Sequence, residues 1–260
     1  MRAIIGSIGL VLVLAGCGGP VSPMTAPATP LQSRPTLRNT PNTPNTPNTP
    51  TPAQKVTGPN VSGCFTTADG KIFTYGDDLP GVITGKGAVG VVITYERNGN
   101  VCTWRPLSDR LVAAGYRVLL YARKSSEYPD EVAVAMAKRL SKEKGVRRLF
   151  LVGGSIGATA SVPAAERLGS RMAGVVALSG AVAEDEAAKL TVPLLQIGSE
   201  NDAYGGAKDL QRTHDAATKA PDNELHVIKG ESLHASALFG SPHGPEVLDR
   251  IIAFIDRHKG

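Results

Sequence analysis

Apolar residues along this chain fall into short runs that alternate with stretches of helical spacing. Residues 88–94, 116–121, 148–152, 172–178, 192–197 and 224–228 are compact apolar runs, the pattern of buried strands. Between them, Leu107, Leu111 and Val112 predict a helix over 104–114, and Val132, Val134, Met136 and Leu140 predict one over 131–144. A small-residue helix runs from Ile156 to about Leu168, followed by a brief helix over 185–189, one over 207–218 and a closing one over 245–258. Residues 64–67 and 71–75 alternate around Ala68-Asp69-Gly70, a hairpin signal, and another strand is expected at 81–84. Strands alternating with helices predict an α/β fold, with a mostly parallel central sheet covered by helices on both faces. One domain over 61–260 fits this string.

The first sixty residues follow different rules. Apolar residues 4–14 are too few to span a membrane and end in Leu14-Ala15-Gly16-Cys17. That tetrapeptide resembles a bacterial lipobox. The resemblance implies a signal peptide over 1–17 and lipidation at Cys17, with the mature protein held at the outer face of the cytoplasmic membrane. Residues 18–60 hold the repeat Asn39-Thr40-Pro41, and proline at every third position prevents helix and ladder formation. The expectation is a stalk, of order 100 Å if fully stretched.

Charge adds little. A net +5 spread along the chain, without a basic block, gives no support to nucleic-acid binding. Besides Cys17 the chain has Cys64 and Cys102. In an exported protein such a pair is expected to form a disulfide, the alternative being two separate buried thiols. No histidine–cysteine cluster has zinc spacing and no glycine loop has the pattern of a phosphate cradle, so neither metal nor cofactor is expected.

The candidate chemistry begins at Gly153-Gly154-Ser155-Ile156-Gly157, where a strand turns into a helix. Gly-x-Ser-x-Gly in that context is the pattern of a nucleophile elbow, whose tight turn lifts the serine hydroxyl clear of the sheet. The amide of Ile156, at the helix N-terminus, faces developing negative charge. An activated serine needs a base and a carboxylate to orient it. Asp202 follows the strand over 192–197, and His234 follows the strand over 224–228. Glu200 is the alternative carboxylate. His226 alternates within a strand and His243 adjoins the last helix, while His214 and His258 are expected to be solvated on helices.

On the order Ser155, Asp202, His234, with Gly90-Val91-Val92-Ile93-Thr94, Trp104-Arg105-Pro106-Leu107 and Ala114-Gly115-Tyr116-Arg117-Val118, the chain from about residue 62 onward resembles the α/β-hydrolase family. The resemblance implies Ser155 as nucleophile, Asp202 as acid, His234 as base and the Arg97 amide as second oxyanion donor. It also implies a serine esterase acting on small or surface-exposed acyl esters. Two departures stand out. Only residues 180–191 lie where most members insert a lid, so the site should be open. Where the family commonly has His-Gly after this strand, the chain has Tyr95-Glu96. A carboxylate about 6 Å from the oxyanion, at an effective dielectric near 20, would oppose it by about 3 kcal/mol. Unless Glu96 is turned away or pairs with Arg97 or Arg105, removing it should raise turnover. That departure keeps a second reading open, a catalytically weak or silent binding module with the same fold; within enzymes, an acyltransferase or peptidase would use the same parts.

Overall fold

The computed structural model describes Val61 and residues 63–260. The lipobox and the 18–60 stalk lie outside the described residues. Eight strands form one sheet: β1 Gly70–Tyr75, β2 Leu79–Thr84, β3 Val89–Thr94, β4 Arg117–Tyr121, β5 Arg148–Gly154, β6 Met172–Leu178, β7 Leu194–Ser199 and β8 Asn223–Ile228. Their spatial order is β1-β2-β4-β3-β5-β6-β7-β8. From β4 to β8 every pairing is parallel, while β1 with β2 and β2 with β4 are antiparallel. The helices are α1 Arg105–Ala113, α2 Pro129–Leu140, α3 Ile156–Leu168, α4 Glu184–Ala187, α5 Ala207–Ala216 and α6 Gly244–His258.

The strands read as continuous apolar runs because both faces are covered. Val91 and Ile93 pack on one face with Leu107 and Leu111 of α1 and Val247, Ile251 and Phe254 of α6. Val92, between them in sequence, points to the other face with Met136 and Leu140 of α2 and Val162 of α3. Fully burying side chains of this size stabilises the fold by about 1.5–3 kcal/mol each.

The topology decides where a site can form. From β3 the chain crosses through α1 to β4 on one side, then places β5 on the other side of β3. The crevice where the order reverses lies beyond the C-terminal ends of β3 and β5. Those ends deliver the 95–100 loop and Ser155.

The expected opening hairpin is shifted. β1 pairs with β2 across Gly76-Asp77-Asp78, not with residues 64–67. Gly76 and Asp78 both take positive φ there, 52° and 63°. Phe65, which alternation assigned to a strand, is instead drawn into the core on the α1–α6 face and pairs only through a bridge with Val61. Four contacts hold that segment. Cys64 is disulfide-bonded to Cys102, as expected. Arg105 donates to the Cys64 carbonyl and, at 2.6 Å, to Asp69. Asp69 in turn accepts the Thr66 amide at 2.8 Å. The helix predicted at 131–144 starts at Pro129 and ends at Leu140. Proline's missing N–H costs nothing in a helix's first turn, which explains the earlier start.

Candidate active site

Ser155 sits between β5 and α3 with φ 53° and ψ −118°, a backbone conformation that a non-glycine residue adopts only under constraint. Its N–H donates to the Leu178 carbonyl at 2.8 Å, and its own carbonyl accepts from the Thr159 amide and hydroxyl. The flanking glycines are required by close approach. A Cβ on Gly153 would lie 2.1 Å from the Gly157 carbonyl oxygen, and one on Gly157 would lie 2.0 Å from that of Thr94. The helix start is therefore pressed against the ends of both β3 and β5.

Asp202 follows β7, and its side chain is 1% exposed. One oxygen, Oδ2, lies 2.7 Å from His234 Nδ1, and the other accepts the Tyr204 amide at 2.9 Å. A carboxylate so placed leaves Nδ1 as the protonated nitrogen and Nε2 as the available base. The loop after β8 carries His234, and the next residue, Ala235, has φ 47° and donates its N–H to Ser179 Oγ at 2.9 Å. Ser179 directly follows β6, and Leu178 ends it, so the His234 loop and the Ser155 turn are both tied to that one strand end. Ser155 and His234 line a common cavity of about 370 Å³ with Glu96, Arg97, Asn98 and Tyr204.

The Arg97 side chain is exposed in a turn closed by Gly99 N–H on the Glu96 carbonyl at 3.2 Å. Among the described residues the Arg97 amide has no hydrogen-bond acceptor. Ile156 opens α3, and its N–H has no acceptor within the helix. Both expected oxyanion donors thus stand at the two loops that border the cavity.

Glu96 pairs with neither arginine. Trp104 Nε1 donates to its Oε2 at 2.7 Å and the Ser236 hydroxyl donates to its Oε1. Arg105 is engaged by Asp69 and Asp109 instead. Glu200, the alternative acid, binds Lys229 at 2.9 Å and the Gly230 amide at 2.9 Å, away from His234. The Gly230 amide and then the Lys229 ammonium hold its carboxyl below the ordinary value.

The remaining histidines differ in part from expectation. His226 lies in β8 as foreseen, and burial, then Arg250, lowers its pKa. His243 lies 3.3 Å from Glu231 at the start of α6. His214 and His258 are half-buried rather than solvated. His214 contacts the Asn223 carbonyl at 3.2 Å, and His258 contacts Asp222 at 2.8 Å. Among the described residues one group, Asp222, Glu224 and His258, brings enough ligand atoms together for a metal. It sits at the N-terminal end of β8, opposite the Ser155 crevice, and its carboxylates are already taken by His258 and Arg257.

Tyr204 and Ser236 had no part in the sequence reading, and Trp104 and Ser179 had none as site residues. Tyr204 sets its ring edge-on to His234 at 5.5 Å while remaining 77% exposed. Only its position two residues after Asp202 could have signalled it.

No protein-family model matches the chain, and no curated protein matches it. Solved structures do match its fold. An esterase of Pyrococcus furiosus superposes with a TM-score of 0.64 at 16% identity, covering 80% of this chain and 99% of that one. The fold is the α/β-hydrolase fold. A monoacylglycerol lipase of Paleococcus ferrophilus gives 0.62 at 16% identity over 70% of this chain and 99% of its own. A bromoperoxidase of Bacillus anthracis gives 0.56 at 15% identity over 69% and 95%. An α/β-hydrolase fold therefore accounts for the position of the crevice but leaves its chemistry to the residues lining it. The short 180–191 connection, holding only the four-residue α4, adds no large lid to this α/β-hydrolase fold.

Proposed function

We propose that the chain is a serine hydrolase cleaving carboxylic esters through an acyl-enzyme. The observation that carries this reading is the buried Asp202 carboxylate 2.7 Å from His234 Nδ1, in a histidine that shares its cavity with the strained Ser155. Nε2 of His234 takes the Ser155 proton as Oγ attacks the ester carbonyl. The oxyanion that forms is stabilised by the amides of Ile156 and Arg97. Collapse expels the alcohol, protonated by His234, and water repeats the sequence on the acyl-Ser155 ester. The fold neighbours that are esterases and lipases support ester hydrolysis as the reaction class.

Export and anchoring through Cys17, with residues 18–60 as a spacer at the bacterial envelope, belong to the same proposal and rest on the sequence. A membrane surface and a small or surface-exposed ester are the partners it implies.

The deciding experiment combines a fluorophosphonate probe with short-chain ester assays. Ser155 should carry the adduct, and Ser155→Ala should lose both adduct and turnover while keeping its circular dichroism. A folded wild type with neither adduct nor turnover would point to a binding module instead.

A further inference from the structure

A second concavity opens beside the Ser155 cavity. It is a groove of about 570 Å³ whose walls are Cys102, Thr103, Pro106, Ala237, Phe239 and Gly240. The two spaces meet at Glu96, Asn98 and His234, which line both. Ser236 lines the groove as well, with its hydroxyl committed to Glu96; besides it and the Thr103 hydroxyl, the side chains on these walls are apolar. One wall ends in the Cys64–Cys102 disulfide, and the other is the turn that follows His234 directly.

We propose that this groove receives the alcohol moiety of the ester, and that the preferred substrates carry an uncharged apolar alcohol of about the size of a substituted ring. The proposal rests on the serine-hydrolase reading above and specifies its substrate. Geometry of the intermediate assigns the direction. A tetrahedral carbon on Ser155 Oγ bears three further groups: the oxyanion, the acyl chain and the leaving oxygen. The oxyanion is held by the Ile156 and Arg97 amides. The leaving oxygen must face His234, because that imidazole returns the proton to it. Of the proposed catalytic groups the groove touches His234 alone, whereas Ser155 and Arg97 line the smaller cavity and not the groove, so a substituent entering the groove passes His234. The acyl group is left with the smaller space bordered by Arg97 and Tyr204.

Volume and chemistry agree with that division. A space of about 570 Å³ lies within the range of pockets for small organic ligands, and apolar walls favour burial of hydrocarbon. Glu96 stands at the junction with both oxygens already engaged by Trp104 and Ser236. An anionic alcohol would pass this carboxylate at a cost, whereas a neutral one would not. Each methylene that enters this open groove should raise kcat/KM by up to about fourfold, the value for full burial.

The test uses acetate esters of methanol, butanol and cyclohexylmethanol, whose leaving groups have similar basicity, alongside methyl hexanoate as the acyl arm. Wild type should prefer the cyclohexylmethyl over the methyl ester by tenfold or more. Ala237→Trp, which fills the groove from an exposed position, should bring that ratio close to one. Gly240→Leu, placed where a side chain meets open space, is the second variant and should narrow the ratio too. Variants are read only if they still take the fluorophosphonate label at Ser155, which reports an assembled site. A flat wild-type series, or a preference that survives both substitutions, would overturn the proposal. So would a loss confined to methyl hexanoate, which would assign the groove to the acyl chain. Absence of label and of turnover in wild type would instead overturn the hydrolase reading beneath it.

Discussion

The indole of Trp104 donates to the carboxylate of Glu96 at 2.7 Å, from a ring that is fully buried. Ser236, two residues beyond His234, donates to the other oxygen of the same carboxylate. Trp104 itself lies against Gly154, where a Cβ would come within 2.4 Å of its ring. One acidic side chain thus joins the Arg97 loop, the Ser155 turn and the His234 loop.

This arrangement reverses the expectation drawn from charge alone. Removing Glu96 deletes a repulsive charge but leaves a buried indole N–H without an acceptor, costing about 1–3 kcal/mol, and frees the Arg97 loop. Glu96→Gly should therefore lower kcat on short-chain esters by about tenfold or more. Glu96→Gln should restore most of it, because the amide oxygen can accept from Trp104 while its N–H₂ donates to Ser236. A faster Glu96→Gly enzyme would show that repulsion outweighs positioning.

Asp202→Asn keeps the shape of the buried side chain but can present an N–H to His234 Nδ1. The imidazole would then favour the wrong tautomer, and kcat at neutral pH should fall by on the order of 10⁴. Steady-state rates with an unchanged thermal melt would check this. Glu200→Gln should leave the rate near wild type, since Glu200 faces Lys229 and Gly230.

The disulfide closes a loop with a sequence separation of 38. In the chain-entropy model that contributes about 4 kcal/mol. Cys64→Ser with Cys102→Ser should shift the urea midpoint downward by a corresponding amount. Reducing agent should lower wild-type stability and leave the double variant unaffected.

Asp69 gives a pH signature. Burial pushes its pKa up, but the Thr66 amide and Arg105 outweigh that and hold it below the ordinary 3.8. A depressed carboxylate stabilises the fold above its unfolded value, and the stabilisation is lost as pH falls through the folded value. Asp69→Asn should therefore be clearly less stable than wild type at pH 7, and the gap in urea unfolding should narrow below about pH 4.

At the other end of the chain, a protein beginning at Val61 should be as active as the full chain and remain in the soluble fraction. Metabolic labelling with a fatty acid should disappear in Cys17→Ser. Persistence of the label would overturn the lipobox reading.

Local pattern carried most of the fold. The run Leu149-Phe150-Leu151-Val152 and the glycines around Ser155 specify a strand, a turn and a helix within a few residues, so they were legible in order. Phe65 was misread because alternation cannot tell a strand from a segment pulled inward by a disulfide and an arginine. The Asp202–His234 contact was anticipated from strand ends, since parallel strands bring their C-terminal loops together. The Glu96–Ser236 contact spans 140 residues and involves types common everywhere, so no spacing announced it. The half-buried state of His214 and His258 likewise depends on Asn223 and Asp222 near the start of β8, and helical position alone had suggested solvent.

The brevity of the 180–191 connection reaches into kinetics. A hinged apolar cover adds an opening step to catalysis, and an oil–water boundary that receives its apolar face would favour the open state. Here the crevice is open from the start, and its loops are fastened to the end of β6 through Leu178 and Ser179. Rate should therefore follow a single saturation curve as an ester is raised through its solubility limit, with no jump where droplets or micelles first form.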